Sequence, residues 1–226
     1  MKINQKHLSY LRSCGLSDQM IEESGIYSTS SNKVKQLFGQ KAGSGMIIPY
    51  PNDLTETEQQ YNIVKLDKPL KNKGKYLSSL NEKHRLYIPP GVEKALNDPC
   101  KNITITKGEI NALKAVQEKI VAVGIQDELG YKEVIDQLNI EWKNKIVYIA
   151  YDSDIIADYK KSNAEWLLAQ ELVHLGAKVK CIRIPAGSDG KRVKLANYLV
   201  KNDYKILKES AIEPCNCPCQ AHRHKK

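Results

Sequence analysis

The spacing of apolar residues changes character partway along the chain. Residues 5–27 predict two short helices: Leu8 and Leu11 give an apolar face, Gly15 closes the first helix, and Ser17 caps the second, which runs through Met20 and Ile21 to Gly25. Residues 32–38 predict a further short helix. Short strands are then expected at Met46–Tyr50, Tyr61–Leu66 and Arg85–Ile88, separated by turns at Gly43, Gly45, Pro49, Pro51, Pro69 and Gly74. Pro89-Pro90-Gly91 marks a boundary.

Beyond that boundary strand and helix alternate regularly. Strands are expected at 102–106, 120–124, 145–151 and 178–184, and helices at 109–119, 130–138 and 158–175. The first and third strands, Ile103-Thr104-Ile105-Thr106 and Ile146-Val147-Tyr148-Ile149-Ala150, are nearly continuous apolar or β-branched runs, as central strands covered on both faces should be. The helix at 158–175 carries apolar rows at Leu168/Leu172/Leu175 and Trp166/Ala169/Val173, and Gly176 ends it. Repeated strand–helix–strand units imply an α/β fold, a parallel sheet with helices on both faces, preceded by a small helical and β-containing lobe.

In an open parallel sheet, ligands bind beyond the C-terminal strand ends. Two loops there stand out: Thr106-Lys107-Gly108-Glu109-Ile110-Asn111 after the first strand, and Tyr151-Asp152-Ser153-Asp154 after the third. Residues two apart in an extended segment face the same side, so Asp152 and Asp154 can present two carboxylates to one Mg²⁺ or Mn²⁺. The plain alternative is one helix cap and one solvated side chain.

The 226 residues carry 35 Lys and Arg against 26 Asp and Glu, a net charge of +9. Such an excess favours a polyanionic partner, nucleic acid before membrane, although a solvated lysine-rich surface would read the same way. Lys65, Lys68, Lys71, Lys73 and Lys75 crowd one stretch, with Tyr76 and Arg85 close behind. Lysines interleaved with tyrosine can track a phosphate backbone and stack bases. His84 is read as a surface-loop residue, and His174 as a partner of its helix's C-terminal dipole.

The order of these motifs resembles the Toprim-like domains of phage, plasmid and mobile-element primase and replication proteins. The resemblance runs from Leu11-Arg12-Ser13-Cys14-Gly15-Leu16-Ser17-Asp18 and Ser24-Gly25-Ile26-Tyr27, through Gly45–Tyr50, Lys75–Ser78 and Leu86–Pro90. It continues through Ile105–Glu109 and Val147–Asp154 to Ile182–Gly187 and Leu199. It implies Mg²⁺-dependent phosphoryl or nucleotidyl transfer at Asp152 and Asp154 on single-stranded or primed DNA or RNA, alongside a separate replicative helicase.

Three positions depart from the family pattern. Lys107 stands where Toprim enzymes carry a general acid or base Glu. Asn111 replaces a frequent Asp, and Lys194-Leu195-Ala196-Asn197-Tyr198 replaces a paired acidic motif. Glu109 is the candidate substitute carboxylate. Lys107 can hold phosphate as a point charge but cannot ligate Mg²⁺ while protonated. A catalytically degenerate module that binds nucleic acid or a helicase partner, and a small Toprim-class nuclease, are the alternatives to a primase-like nucleotidyltransferase.

The last residues, Cys215-Asn216-Cys217-Pro218-Cys219-Gln220-Ala221-His222, offer thiolates and imidazole to Zn²⁺, with a disordered tail as the alternative. Cys14, Cys100 and Cys181 are scattered, and no apolar run is long enough for a signal or membrane segment, so a cytoplasmic protein with reduced cysteines is expected. The expected organisation is a helical element at 1–40, a basic strand-rich lobe at 41–98, a Toprim-like α/β domain at 99–208 and a Cys/His-rich tail at 209–226.

Overall fold

The computed structural model describes residues 2–54, 60–69, 74–78, 85–127, 130, 135 and 137–214. The chain divides into two compact units, Met1–Lys83 and His84–Lys226.

The first unit opens with α1 (Gln5–Ser13) and α2 (Asp18–Glu23). Ser17 caps α2 as expected, its Oγ accepting from the Met20 N–H at 3.2 Å. After β1 (Tyr27–Thr29) and α3 (Ser31–Phe38) come β2 (Gly45–Leu54), β3 (Gln60–Leu66) and β4 (Tyr76–Ser78). These strands form one antiparallel sheet in the order β1-β2-β3-β4. Val34 and Phe38 of α3 pack on Ile47, Val64 and Leu77 of the sheet. Gly45 lets β2 approach β3 closely, since a Cβ there would lie 2.5 Å from the Lys65 carbonyl oxygen. A polar knot ties α1 to the sheet. The ring of buried His7 shares hydrogen bonds with Ser28 Oγ at 2.8 Å and Asp67 Oδ1 at 3.0 Å, and Asp67 also accepts from Lys6 and Ser44.

The second unit holds a parallel sheet of β5 (Ile103–Lys107), β6 (Ala122–Ile125), β7 (Ile146–Ala150) and β8 (Lys178–Cys181), in the order β6-β5-β7-β8. The two faces of each central strand go to different cores. Ile103, Ile105, Val147 and Ile149 pack against Leu168, Ala169 and Leu172 of α6 (Tyr159–His174). Tyr148 and Ala150 face α5 (Glu109–Gln117), α7 (Leu195–Leu199) and α8 (Tyr204–Glu209) through Ala115, Leu195, Leu199, Tyr204 and Leu207. Thr104, on the same side, satisfies its hydroxyl against Tyr204 Oη at 2.6 Å. Mixed α/β architecture with a parallel sheet covered on both faces is thus the observed fold.

Two expectations are corrected. Arg85–Ile88 forms no regular strand: Tyr87 alone makes an antiparallel bridge, with Gly124. The apolar rows of α6 stop short of its end, leaving Val173 and Leu175 exposed and burying Glu165 among the core residues. A short helix, α4 (Glu93–Leu96), follows the Pro-Pro-Gly boundary. The helix expected at 130–138 lies largely outside the described residues, as do His84 and the Cys/His tail from residue 215. No described helix is long and apolar enough to cross a membrane.

Candidate functional site

Sheet order places the site. β5 leads outward to β6 on one side, and β7 leads outward to β8 on the other. The chain therefore diverges between β5 and β7, and the crevice opens at their C-terminal ends. The two loops there are Lys107–Glu109 and Tyr151–Asp154, the pair singled out from sequence.

The first turn depends on glycine. Gly108 has φ +81°, a conformation L side chains rarely adopt, and it precedes α5 directly. Gly124 at the end of β6 makes room for it: a Cβ there would lie 3.0 Å from the Gly108 carbonyl oxygen. Lys107 is partly buried, whereas Glu109 and Asn111 are buried on the first turn of α5. Tyr87, near enough to Glu109 to feel its charge, has its phenol pushed well above the usual range, chiefly by burial and secondarily by that carboxylate.

Asn111 is the hub of the crevice. Its Nδ2 donates to the Lys107 carbonyl at 2.7 Å and to Asp152 Oδ1 at 3.2 Å, and its Oδ1 accepts from the Ala196 N–H at 3.0 Å. One amide thereby joins the Lys107 turn, the acidic loop and the start of α7. An Asp here could accept from Ala196 but could not donate to Asp152 unless protonated.

The acidic pair lies among cations. Asp152, 1% exposed, is ion-paired through Oδ2 with Arg192 Nη2. Asp154 Oδ2 accepts from Lys161 Nζ at 2.6 Å, and its Oδ1, which makes no hydrogen bond, is 3.4 Å from Arg192 Nε. Burial acts to raise the Asp154 carboxyl pKa, but the Lys161 hydrogen bond and the charges of Arg192 and Lys161 outweigh it and hold the pKa below the usual range. Between the two, Ser153 donates its N–H to the Val193 carbonyl at 2.9 Å and accepts the Val193 N–H on its Oγ at 2.8 Å. That reciprocal pair sets Arg192 against both aspartates.

Mg²⁺ requires oxygen ligands with open lone pairs. Here three of the four carboxylate oxygens accept from nitrogen donors, the fourth faces a guanidinium, and the family's acidic turn position is Lys107. Among the described residues no three His, Cys, Asp or Glu side chains form a group able to hold a metal ion. In this conformation Arg192 and Lys161 would have to be displaced before both aspartates could turn to a divalent metal. Arg192 and Lys161 escaped the sequence reading. The spacing from Asp154 to Lys161, one turn into the following helix, was the available signal for Lys161. Arg192 reaches the site only through the fold.

The basic stretch splits between the two units. Lys65 and Tyr76 are direct cross-strand partners on β3 and β4, and Lys65 Nζ lies 3.2 Å from the centre of the Tyr10 ring. Lys75 and Tyr76 are exposed. Lys71 and Lys73 lie outside the described residues, and Arg85, partly buried, belongs to the second unit.

A crevice at the switch point, Gly108 before a helix and a D-x-D after the neighbouring strand are brought together by an α/β fold that solved primase structures share. Solved structures bear this fold out. The Aquifex aeolicus primase, comprising zinc-binding and RNA polymerase domains, is similar at TM-score 0.64 and 16% identity, over 93% of this chain and 57% of that one. The DnaG catalytic core is similar at TM-score 0.63 and 14% identity, over 94% of this chain and 74% of that one. The primase fragment of the bacteriophage T7 primase-helicase protein follows at TM-score 0.52 and 15% identity, over 88% and 71%. The chain spans little more than half of the Aquifex protein chain, and identities this low establish a shared fold. No family model and no curated protein matches the sequence.

Proposed function

We propose that this chain is a primase-like replication module whose Toprim crevice engages nucleic-acid phosphate through its own cations, with the metal-dependent chemistry of the fold given up. The observation that carries this reading is the set of nitrogen donors around Asp152 and Asp154, with Lys107 at the turn before Gly108. The Asp152, Asp154, Arg192 and Lys161 charges balance one another, and Lys107 and exposed Lys194 against Glu109 leave the local balance positive by one charge. Lysine holds a phosphate as a point charge and needs no metal for it. Lys75 and Tyr76 of the first unit are the second proposed contact, for backbone and base respectively. The partner would be single-stranded or primed DNA or RNA, with any helicase motor supplied from outside these 226 residues.

A Mg²⁺-dependent nucleotidyl transfer or cleavage is the second reading. Its support is the position of the D-x-D at the switch point and the buried Asp154 Oδ1 that makes no hydrogen bond. Lys107→Glu separates the two. Under the first reading the variant binds a labelled single-stranded oligonucleotide more weakly and still makes no primer and no cut in Mg²⁺. Under the second it restores the missing carboxylate, and primer synthesis or cleavage rises.

A further inference from the structure

The loop that carries Arg192 is built as a strap. Gly190 donates its N–H to the Gly187 carbonyl at 2.8 Å, Gly187 donates to the Lys191 carbonyl at 3.0 Å, and Lys191 N–H reaches Asp189 Oδ1 at 3.0 Å. This self-bonded turn then attaches to the acidic loop by the two Ser153–Val193 hydrogen bonds. Arg192 is the residue between turn and attachment, and its guanidinium spans both carboxylates. Its side chain is 37% exposed, whereas the Asp152 side chain beneath it is 1% exposed. A carboxylate so buried needs a counter-charge, and Arg192 provides it from the solvent side.

We propose that Arg192 is an intramolecular competitor for divalent cations, and that the 187–193 strap keeps the acidic pair closed to metal. With Arg192 and Lys161 in place the four side chains sum to zero charge, so an arriving dication finds no net attraction and must break existing ion pairs. Removing one cation leaves a net charge of −1, and removing both leaves −2. Metal affinity therefore rises stepwise as the two cations are removed. This inference deepens the non-metal reading of the crevice, but it is tested by metal alone, without oligonucleotide, so its failure is separable from failure of nucleic-acid binding.

The test is Mn²⁺ titration of the full chain followed by electron paramagnetic resonance, with calorimetry as a second readout. Wild type binds Mn²⁺ weakly. Arg192→Gln binds one ion about tenfold more tightly or better, and Arg192→Gln with Lys161→Gln more tightly still. Adding Asp154→Asn removes the gain. Ser153→Ala keeps every charge and loosens only the strap; it guards against misfolding of the charge variants and gives a smaller gain, with faster hydrogen exchange at Ser153. Equal Mn²⁺ affinity in wild type, Arg192→Gln and Ser153→Ala overturns the proposal, as does a gain that survives Asp154→Asn.

Discussion

Asn111 Nδ2 donates to Asp152 Oδ1 at 3.2 Å while its own Oδ1 accepts the Ala196 N–H at 3.0 Å, so one neutral amide fastens a buried carboxylate to the start of α7. Asn111→Asp places two carboxyl groups in that contact. Beside the buried carboxylate, the introduced carboxyl has its pKa pushed up. A raised carboxyl pKa costs nothing at pH below the ordinary carboxylate range and costs progressively more as pH rises through the folded value. Urea midpoints at pH 5 and pH 8 should therefore diverge from wild type, with a loss of about 2 kcal/mol or more at the higher pH. An unchanged midpoint at both would mean that the amide does not face Asp152.

A second ion pair joins buried Glu165 of α6 to Arg183, just after β8. Arg183 makes two hydrogen bonds of 2.7 Å to Glu165, whose pKa is pushed up by burial and drawn back by the guanidinium. Arg183→Ala leaves Glu165 buried without its counter-charge and should cost about 3–5 kcal/mol in chemical denaturation. Adding Glu165→Gln should recover part of that loss. A double variant no more stable than Arg183→Ala would show that the pair's charges are not what is at stake.

What could be read from sequence, and what could not, follows from range. β5, β7 and the D-x-D were legible because burial on both faces forces Ile103–Thr106 and Ile146–Ala150 into continuous apolar or β-branched runs, and the loops after them are fixed by sheet order. The 85–88 segment looked like a strand because Leu86 and Tyr87 are buried, yet its strand-like pairing is a single bridge from Tyr87 to Gly124. The buried Glu165 went unread in the sequence, because its partner Arg183 comes from the segment after β8. The cations on the acidic pair were not legible: Arg192 lies 40 residues from Asp152 and is delivered by a strap with no local periodicity. Asn111 was visible only as a departure from a family pattern, whereas its role as a three-way hub needs coordinates.

In the first unit, Asp67 gathers Lys6, Ser44 and His7. The Lys6 hydrogen bond, opposed by burial and helped by Ser44 and His7, holds the carboxyl far below its usual range. Because the folded pKa is lowered, this stabilisation is fully present above the unfolded value of about 3.9 and drains away as pH falls through the folded one. Asp67→Asn should lose roughly 1–2 kcal/mol at pH 7, and the gap to wild type should narrow as pH is taken below 4. A gap constant with pH would contradict the charge-based account of this knot.

Lys65 on β3 and Lys75, just before β4, should behave differently. Lys75→Ala should weaken oligonucleotide binding for every sequence and reduce the salt slope by about one unit for a lost phosphate contact. Lys65→Ala should mainly lose the stacking of its ammonium over Tyr10, a stability change of about 0.5–1 kcal/mol seen in denaturation. An unchanged slope for Lys75→Ala would return that side chain to the solvated surface.

The central claim, phosphate held by the protein's own cations, is tested most directly by oligonucleotide binding with and without divalent metal. Fluorescence anisotropy of a labelled single-stranded oligonucleotide is measured in EDTA and in Mg²⁺ at matched ionic strength. Affinity in EDTA is predicted to stay within about twofold of that in Mg²⁺, with a steep loss on added monovalent salt. Binding that appears only in Mg²⁺, or that vanishes in Asp152→Asn with Asp154→Asn while the fold persists, would contradict the account.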